Sequence, residues 1–262
     1  MTFSGFSVDI VEGIARLTLN DPARGNPIDG PFCQSLCEAA IQLSENAAVR
    51  CLLLSAEGKA FSYGGDISAF LADLDALPLN IKRWTAALHS AVVRLQRMNA
   101  PIVSAVQGIC AGGMSGLVAG SDIVIAAENA RFAAAYAGIG FSCDAGSSVM
   151  YTRRMGLGRA RKFLLLNETL TASQALGAGL VDEVIGTDQL RARAMEVASQ
   201  LALGPPAAIG EMRRLLLSAQ DSSLESQLEL EAQALTRIAS TEDAREGLTA
   251  FAAKRKPVFT GR

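Results

Sequence analysis

The sequence predicts one α/β fold: a strand–loop–helix core over residues 1–190, followed by a helical region over residues 191–262. Three observations predict it. Half of the 262 residues are apolar, enough to fill a full core. Short apolar runs alternate with helical stretches, and each Gly-rich loop follows such a run. After about residue 187 the strand pattern stops.

The elements follow in order. Ser7 to Val11 and Ile14 to Leu19 read as strands joined by a Glu12-Gly13 turn. Ala15, Leu17 and Leu19 alternate with Arg16 and Thr18, which gives the second strand one buried face. Asn20-Asp21-Pro22 ends it. Ile28 to Leu43 has helical spacing, Cys51 to Leu54 is a short buried strand, and Ile81 to Met98 is helical. Ile102 to Val106 and Ile123 to Ala127 are buried strands, with a helix from Met114 to Gly120 between them. Leu190 to Leu203, Pro206 to Ala219, Leu224 to Ala239 and Thr241 to Lys254 are the C-terminal helices.

Composition narrows the function. The net charge of −2 disfavours nucleic-acid binding, because a phosphate-binding surface needs a basic excess, and the only dense basic run is Lys254 to Lys256. Five cysteines (33, 37, 51, 110 and 143) have no Cys-x-x-Cys spacing, and there is a single histidine. This argues against a metal site and for free thiols in a reducing compartment. No basic segment followed by an apolar run opens the chain, and no apolar stretch is long enough for a membrane span. A cytoplasmic protein without a membrane partner is therefore expected.

Two loops have the composition for chemistry. In Phe61-Ser-Tyr-Gly-Gly-Asp-Ile67, Gly64-Gly65 allows an unusual backbone path and close ligand approach, and Asp66 can cap the next turn. Taken alone it reads as an ordinary tight loop. Gly108-Ile-Cys-Ala-Gly-Gly113 lies between a strand and a helix. Unpaired N–H groups at a helix start suit a developing negative charge. Two such loops can aim one N–H each at a single oxygen.

The order and spacing of further segments carry a resemblance. They are Leu17-Thr-Leu-Asn-Asp-Pro-Ala-Arg-Gly-Asn26, Ala60-Phe-Ser-Tyr-Gly-Gly-Asp66, Ala100-Pro-Ile-Val-Ser-Ala-Val-Gln-Gly108, Ala111-Gly-Gly113, Ser121-Asp-Ile-Val-Ile-Ala-Ala127, Ala130-Arg-Phe132 and Gly179-Leu-Val-Asp182. With them the chain resembles the enoyl-CoA hydratase/isomerase superfamily, the crotonases, over nearly its whole length. The resemblance implies a spiral of ββα units with a helical C-terminal trimerisation part, and a homo-oligomer, trimer or hexamer. It implies an acyl-CoA substrate, with coenzyme A part of the substrate and no separate cofactor, and an enolate held in an oxyanion hole. It places the hole's N–H groups on Gly65 and Gly113. It places coenzyme A near Gly25, Asn26 and Pro27 and along Ser62, Gly64 and Asp66, with Phe251 and Lys254 holding the nucleotide, often across a subunit interface.

The chain departs from the two-glutamate hydratase pattern. Gly116 and Tyr136 stand where that pattern has its carboxylates. Adding water needs a base for the water and an acid for the α-carbon, so standard hydration is in doubt. One carboxylate remains, Asp144 in Gly140-Phe-Ser-Cys-Asp-Ala-Gly146. It resembles the catalytic Asp of the family's isomerases, which moves a proton from one acyl carbon to another. It also resembles the nucleophile of 4-chlorobenzoyl-CoA dehalogenase, for which His89 sits where the water-activating His belongs. A plain helix cap for Asp144, a packing or hydrogen-bonding role for His89, and a binder without turnover are the alternatives. Phe70, Trp84, Ile109 and Phe141 are candidates for the acyl pocket wall, each also explicable as core. Tyr136 could orient the substrate, donate a proton, or fill volume.

Overall fold

A computed structural model describes all 262 residues. The chain opens with β1 (Thr2–Phe3), β2 (Phe6–Val11) and β3 (Ile14–Leu19), which are antiparallel neighbours. Glu12 and Gly13 both have positive φ, 52° and 79°, so the β2–β3 turn twists with its strands. Helix α1 (Gly30–Glu45) follows, its start fixed by the Asp29 carboxylate accepting from Phe32 N–H and by Pro31 in the first turn.

Strands β4 (Cys51–Ala56), β5 (Ile102–Val106), β7 (Ile123–Ala127) and β10 (Glu183–Ile185) extend the sheet in parallel. The result is a seven-stranded sheet in the order β1-β2-β3-β4-β5-β7-β10. A second, three-stranded sheet joins β6 (Ile109–Ala111), β8 (Arg131–Ala133) and β9 (Thr169–Thr171). Between strands run α2 (Ile67–Leu71), α3 (Leu77–Arg97), α4 (Gly112–Ala119), α5 (Ser147–Leu165) and α6 (Ala172–Gly177). Helix α3 starts four residues before the periodicity predicts, because Pro78 fits a first turn, where no intrahelical N–H is needed. In segment 128–187 the strands have three residues each and α5 is broken at Gly156.

The sheet is buried on both faces, as its near-continuous apolar strands require. Leu17, Leu52, Leu54, Ile102 and Val124 point into the larger core with α1, α3 and α4. Leu53, Val103, Ala105, Ile125 and Ala127 point the other way, onto α7 (Leu190–Ala202) through Ala194, Val197 and Ala198. Helix α7 is thus a layer of the core. The helical region placed at 191–262 separates from the core, in packing terms, only after Ala202. Beyond it lie α8 (Pro206–Ser218), α9 (Leu224–Ala239) and α10 (Glu242–Ala252), which leave Leu216, Leu228, Leu235 and Leu248 exposed.

A buried ion pair docks α8. Arg213, only 6% exposed, donates to both oxygens of Asp122 at 2.9 Å and to the carbonyls of Met98 and Leu95. Asp122 also accepts from Ile102 N–H at 2.7 Å. Removing one partner strands a buried charge, so Asp122→Ala is expected to cost about 3–5 kcal/mol in urea unfolding. The pair Asp122→Asn with Arg213→Leu, which leaves no charge behind, should recover part of that loss.

Candidate active site

The site begins with loops tied to one another through backbone. The N–H groups of Phe61 and Ser62 both donate to the Ile109 carbonyl, at 2.9 and 3.0 Å, and Ala111 N–H returns a bond to the Ser62 carbonyl. On the other side Ile28 N–H donates to Gly64 and Asp66 N–H to Ile28. These bonds set the register of the 61–66 loop against both β6 and the start of α1.

Side chains complete the tie. Asn26, buried with φ of 51°, donates to the carbonyls of Glu57, Ala60 and Phe61 and accepts from Asp21 N–H. The Ser62 hydroxyl, fully buried, donates to the Asn26 carbonyl at 2.6 Å and accepts from Gly64 N–H. Gly25 and Pro27 are buried too. The side chains of Asn26 and Ser62, expected along coenzyme A, are therefore committed inside the protein, where only loop geometry can pass their influence to a ligand. A Cβ on Gly64 would lie 2.8 Å from the Ala111 carbonyl oxygen, so no larger residue fits there.

After this pairing Gly65 and the first turn of α4 keep unpaired N–H groups. Gly65 N–H donates to no protein acceptor. Gly113 is the second residue of α4, whose start has no side-chain cap, so its N–H belongs to the unpaired first turn. Gly65 and Gly113 line the same cavity of about 280 Å³, together with Asp144.

The cavity wall is aromatic on one side. The Phe70 ring lies nearly parallel to Trp84 (6.1 Å between centroids, 19°) and to Phe141 (5.5 Å, 21°). Tyr136 closes the wall near Asp144. Sequence reading missed Cys33, Ile81, Thr85 and Leu88, which also line it. Ile81, Thr85 and Leu88 stand at i−3, i+1 and i+4 from Trp84, so helical spacing from that residue was the available signal. Ile109 lies outside the cavity. Its carbonyl serves the loop pairing described above, and the neighbouring glycines occupy the wall.

Asp144 is the only carboxylate on the cavity. Helix α5 has no side-chain cap, so Asp144 is not spent on capping. Its Oδ1 accepts from the Tyr136 hydroxyl at 2.8 Å, and the Tyr136 oxygen lies 2.9 Å from Ser147 Oγ. Burial, then the charge of Asp144, push the Tyr136 phenol well above its ordinary value. Tyr136 therefore stays protonated, and an ionised Asp144 leaves only one arrangement: Tyr136 donates to Asp144 and Ser147 donates to Tyr136. The Tyr136 proton is thus directed at Asp144. Burial and the same charge push the Cys33 thiol up to about 12, so it is an inert part of the wall.

The missing carboxylate positions are filled. A Cβ on Gly116 would sit 1.9 Å from Ser147 Oγ, and Tyr136 occupies the other position. His89 lies off the cavity, on a shallow groove with Glu45, Ser90 and Arg94, and its Nε2 accepts from Ala145 N–H at 3.1 Å. Phe251 is 84% exposed and Lys254 is exposed, both away from this chain's cavity. No group of three His, Cys, Asp or Glu side chains could hold a metal ion.

Next to these loops, Arg24 joins two helix caps. It donates to Asp29, which caps α1, and to Asp66, which caps α2 through Ser68 N–H. Burial works against the Asp66 charge, but the Arg24 guanidinium and the N–H groups of Ala69 and Ser68 outweigh it and lower its pKa. A carboxylate held low adds stability above the ordinary carboxylate value and loses it as pH falls through its own midpoint. Carboxyl ¹³C NMR should place the Asp66 midpoint below the ordinary range, and Arg24→Gln should move it up. The Gly116 contact generates a second expectation. Gly→Ala inside a helix ordinarily stabilises by about 1 kcal/mol. Here Gly116→Ala should destabilise in urea unfolding, and adding Ser147→Gly should reverse the sign.

Comparisons with known proteins give the family. A family model described as enoyl-CoA hydratase/isomerase matches residues 9–262. The 1,2-epoxyphenylacetyl-CoA isomerase of Escherichia coli is 34% identical over 97% of this chain and 97% of its own. The 2,3-dehydroadipyl-CoA hydratase of the same organism is 32% identical over 94% of each chain. The crystal structure of an enoyl-CoA hydratase of Mycobacterium smegmatis superposes with a TM-score of 0.91 at 28% identity, covering 97% of this chain and 98% of that one. A match to the family over nearly its full length, carried by the same fold, makes this chain a member of the enoyl-CoA hydratase/isomerase family, the crotonases, whose substrates are thioesters of coenzyme A.

Proposed function

We propose that the chain is an isomerase of acyl-CoA thioesters in which Asp144 is the sole acid/base. The observation that carries this reading is the single carboxylate on a cavity that Gly65 and Gly113 also line. The thioester oxygen accepts from both N–H groups. Asp144 removes a proton from one acyl carbon, the charge passes to the oxygen as an enolate, and the same carboxyl returns the proton at another carbon. Hydration would need a second acid/base group, and the Gly116 position has no room for one. Dehalogenase-type chemistry would need a base for water, and the His89 nitrogen is already occupied by Ala145.

The parallel rings of Phe70, Trp84 and Phe141 favour a flat acyl group, aryl or conjugated, over a long saturated chain. The isomerase relative named for an epoxyphenylacetyl thioester supports the same preference. Exposed leucines on α8, α9 and α10 support assembly as a homo-oligomer, trimer or hexamer.

A panel of aliphatic and aryl 3-enoyl-CoA thioesters in deuterated water tests the reading. Wild type should give an isomer of unchanged elemental composition, with deuterium on the acyl chain to the extent that the proton on Asp144 exchanges with solvent before its return. Asp144→Asn should lower kcat by about 10³-fold, in the range of a lost general base, with KM little changed. Undiminished turnover in Asp144→Asn, or a product heavier by one water, would overturn it. Stabilisation by thioesters without turnover would leave a binder instead.

A further inference from the structure

We propose that His89 is a positioning residue: its Nε2 accepts the Ala145 N–H and so fixes the peptide plane from which the Asp144 carboxylate projects. The proposal rests on the reading of Asp144 as acid/base.

The argument starts from one peptide unit. The bond between Asp144 and Ala145 carries the Asp144 carbonyl on one edge and the Ala145 N–H on the other. Ser147 N–H donates to that carbonyl at 2.8 Å, and the N–H donates to His89 Nε2 at 3.1 Å. Both edges are held, so the plane cannot turn. The carboxylate, gripped separately by Tyr136, keeps a single direction into the cavity.

This plane needs holding. Ala145 is fully buried and has φ of 52°, and Gly146 follows at 77°. A left-handed alanine is disfavoured and persists only where its surroundings impose it. His89 supplies the only acceptor for its N–H. Without the ring, a buried donor would lack a partner, which is costly. Turning the plane relieves both problems and carries Asp144 with it.

The arrangement also defines the ring. A nitrogen that accepts bears no proton, so the proton of the neutral imidazole sits on Nδ1. That nitrogen cannot also take a proton from water in the cavity, and His89 does not line the cavity. The histidine acts on the reaction through Asp144 alone.

The experiment compares wild type with His89→Ala and His89→Gln, since the Gln side-chain oxygen can replace the lost acceptor. His89→Ala should lower kcat by about 10- to 100-fold, the scale of a misplaced catalytic group, with KM within about twofold. His89→Gln should recover most of that loss. Amide exchange at Ala145 should be slow in wild type and in His89→Gln and fast in His89→Ala. Imidazole ¹⁵N NMR of wild type at pH 8 should show Nε2 without a proton. The exchange and NMR measurements need no turnover, so they decide the proposal even if the isomerase reading fails or His89→Ala does not fold. A protonated Nε2, fast Ala145 exchange in wild type, an unchanged kcat in His89→Ala, or His89→Gln as slow as His89→Ala would each overturn it.

Discussion

The site depends on the backbone pairing of the 61–66 loop with β6. One carbonyl, that of Ile109, takes the N–H groups of Phe61 and Ser62, and Ala111 returns a bond to Ser62. This holds the two Gly-rich loops at contact distance while leaving Gly65 and the first turn of α4 unpaired. Bulk cannot be added along the seam. A Cβ on Gly108 would lie 1.9 Å from the Lys59 carbonyl oxygen, and one on Gly64 would meet Ala111. Asn26 and Ser62 are spent on the same seam, which explains why polar residues so close to the cavity are buried within the protein. Preorganised donors are useful because they need no rearrangement when charge appears. Here the rest of the loop structure maintains that state.

The opposite wall follows a volume constraint. Small residues on α4 let α5 approach, and Ser147 enters the space above Gly116. With Tyr136 filling the second position, the pocket presents a hydroxyl chain that ends on Asp144. Each member of that chain has a donor role compatible with its neighbour only if the carboxyl is the terminal acceptor. The same two substitutions that remove the hydratase carboxylates therefore build the support for the one that remains.

Much of this was readable in the sequence, for definite reasons. The 14–19, 102–106 and 123–127 strands match to the residue, because alternation and continuous apolar runs report burial directly. The loop glycines and Asp144 stand out by residue type. What the sequence hid depends on side-chain direction. Asn26 and Ser62 look like ligand contacts until their hydrogen bonds are traced into the seam. Ile109 sits between cavity glycines, yet contributes its carbonyl to the neighbouring loop. His89 shares a helix with Trp84 and Leu88 but faces the back of the Asp144 loop. The packing of α7 was hidden for a related reason: Ala194 and Ala198 are weak hydrophobic signals singly, and only the sheet beneath shows that α7 is a layer of the core.

For the proposed proton transfer, one carboxylate in the cavity is easier to balance in charge than two. The phenol of Tyr136 and the thiol of Cys33 are both held in their neutral forms, and Asp144 is the one carboxyl facing the cavity. In the proposed proton transfer, Asp144 would take a proton as the negative charge moves to the thioester oxygen, and the cavity would keep the same net charge. On that proposal the N–H groups of Gly65 and Gly113 would meet the charge as dipoles, with no new ion brought out of water. A second carboxylate in the same cavity would have to be neutralised or repelled at each step. The hydroxyl chain through Ser147 and Tyr136 avoids this: it supports Asp144 when ionised and adds no charge when Asp144 is protonated.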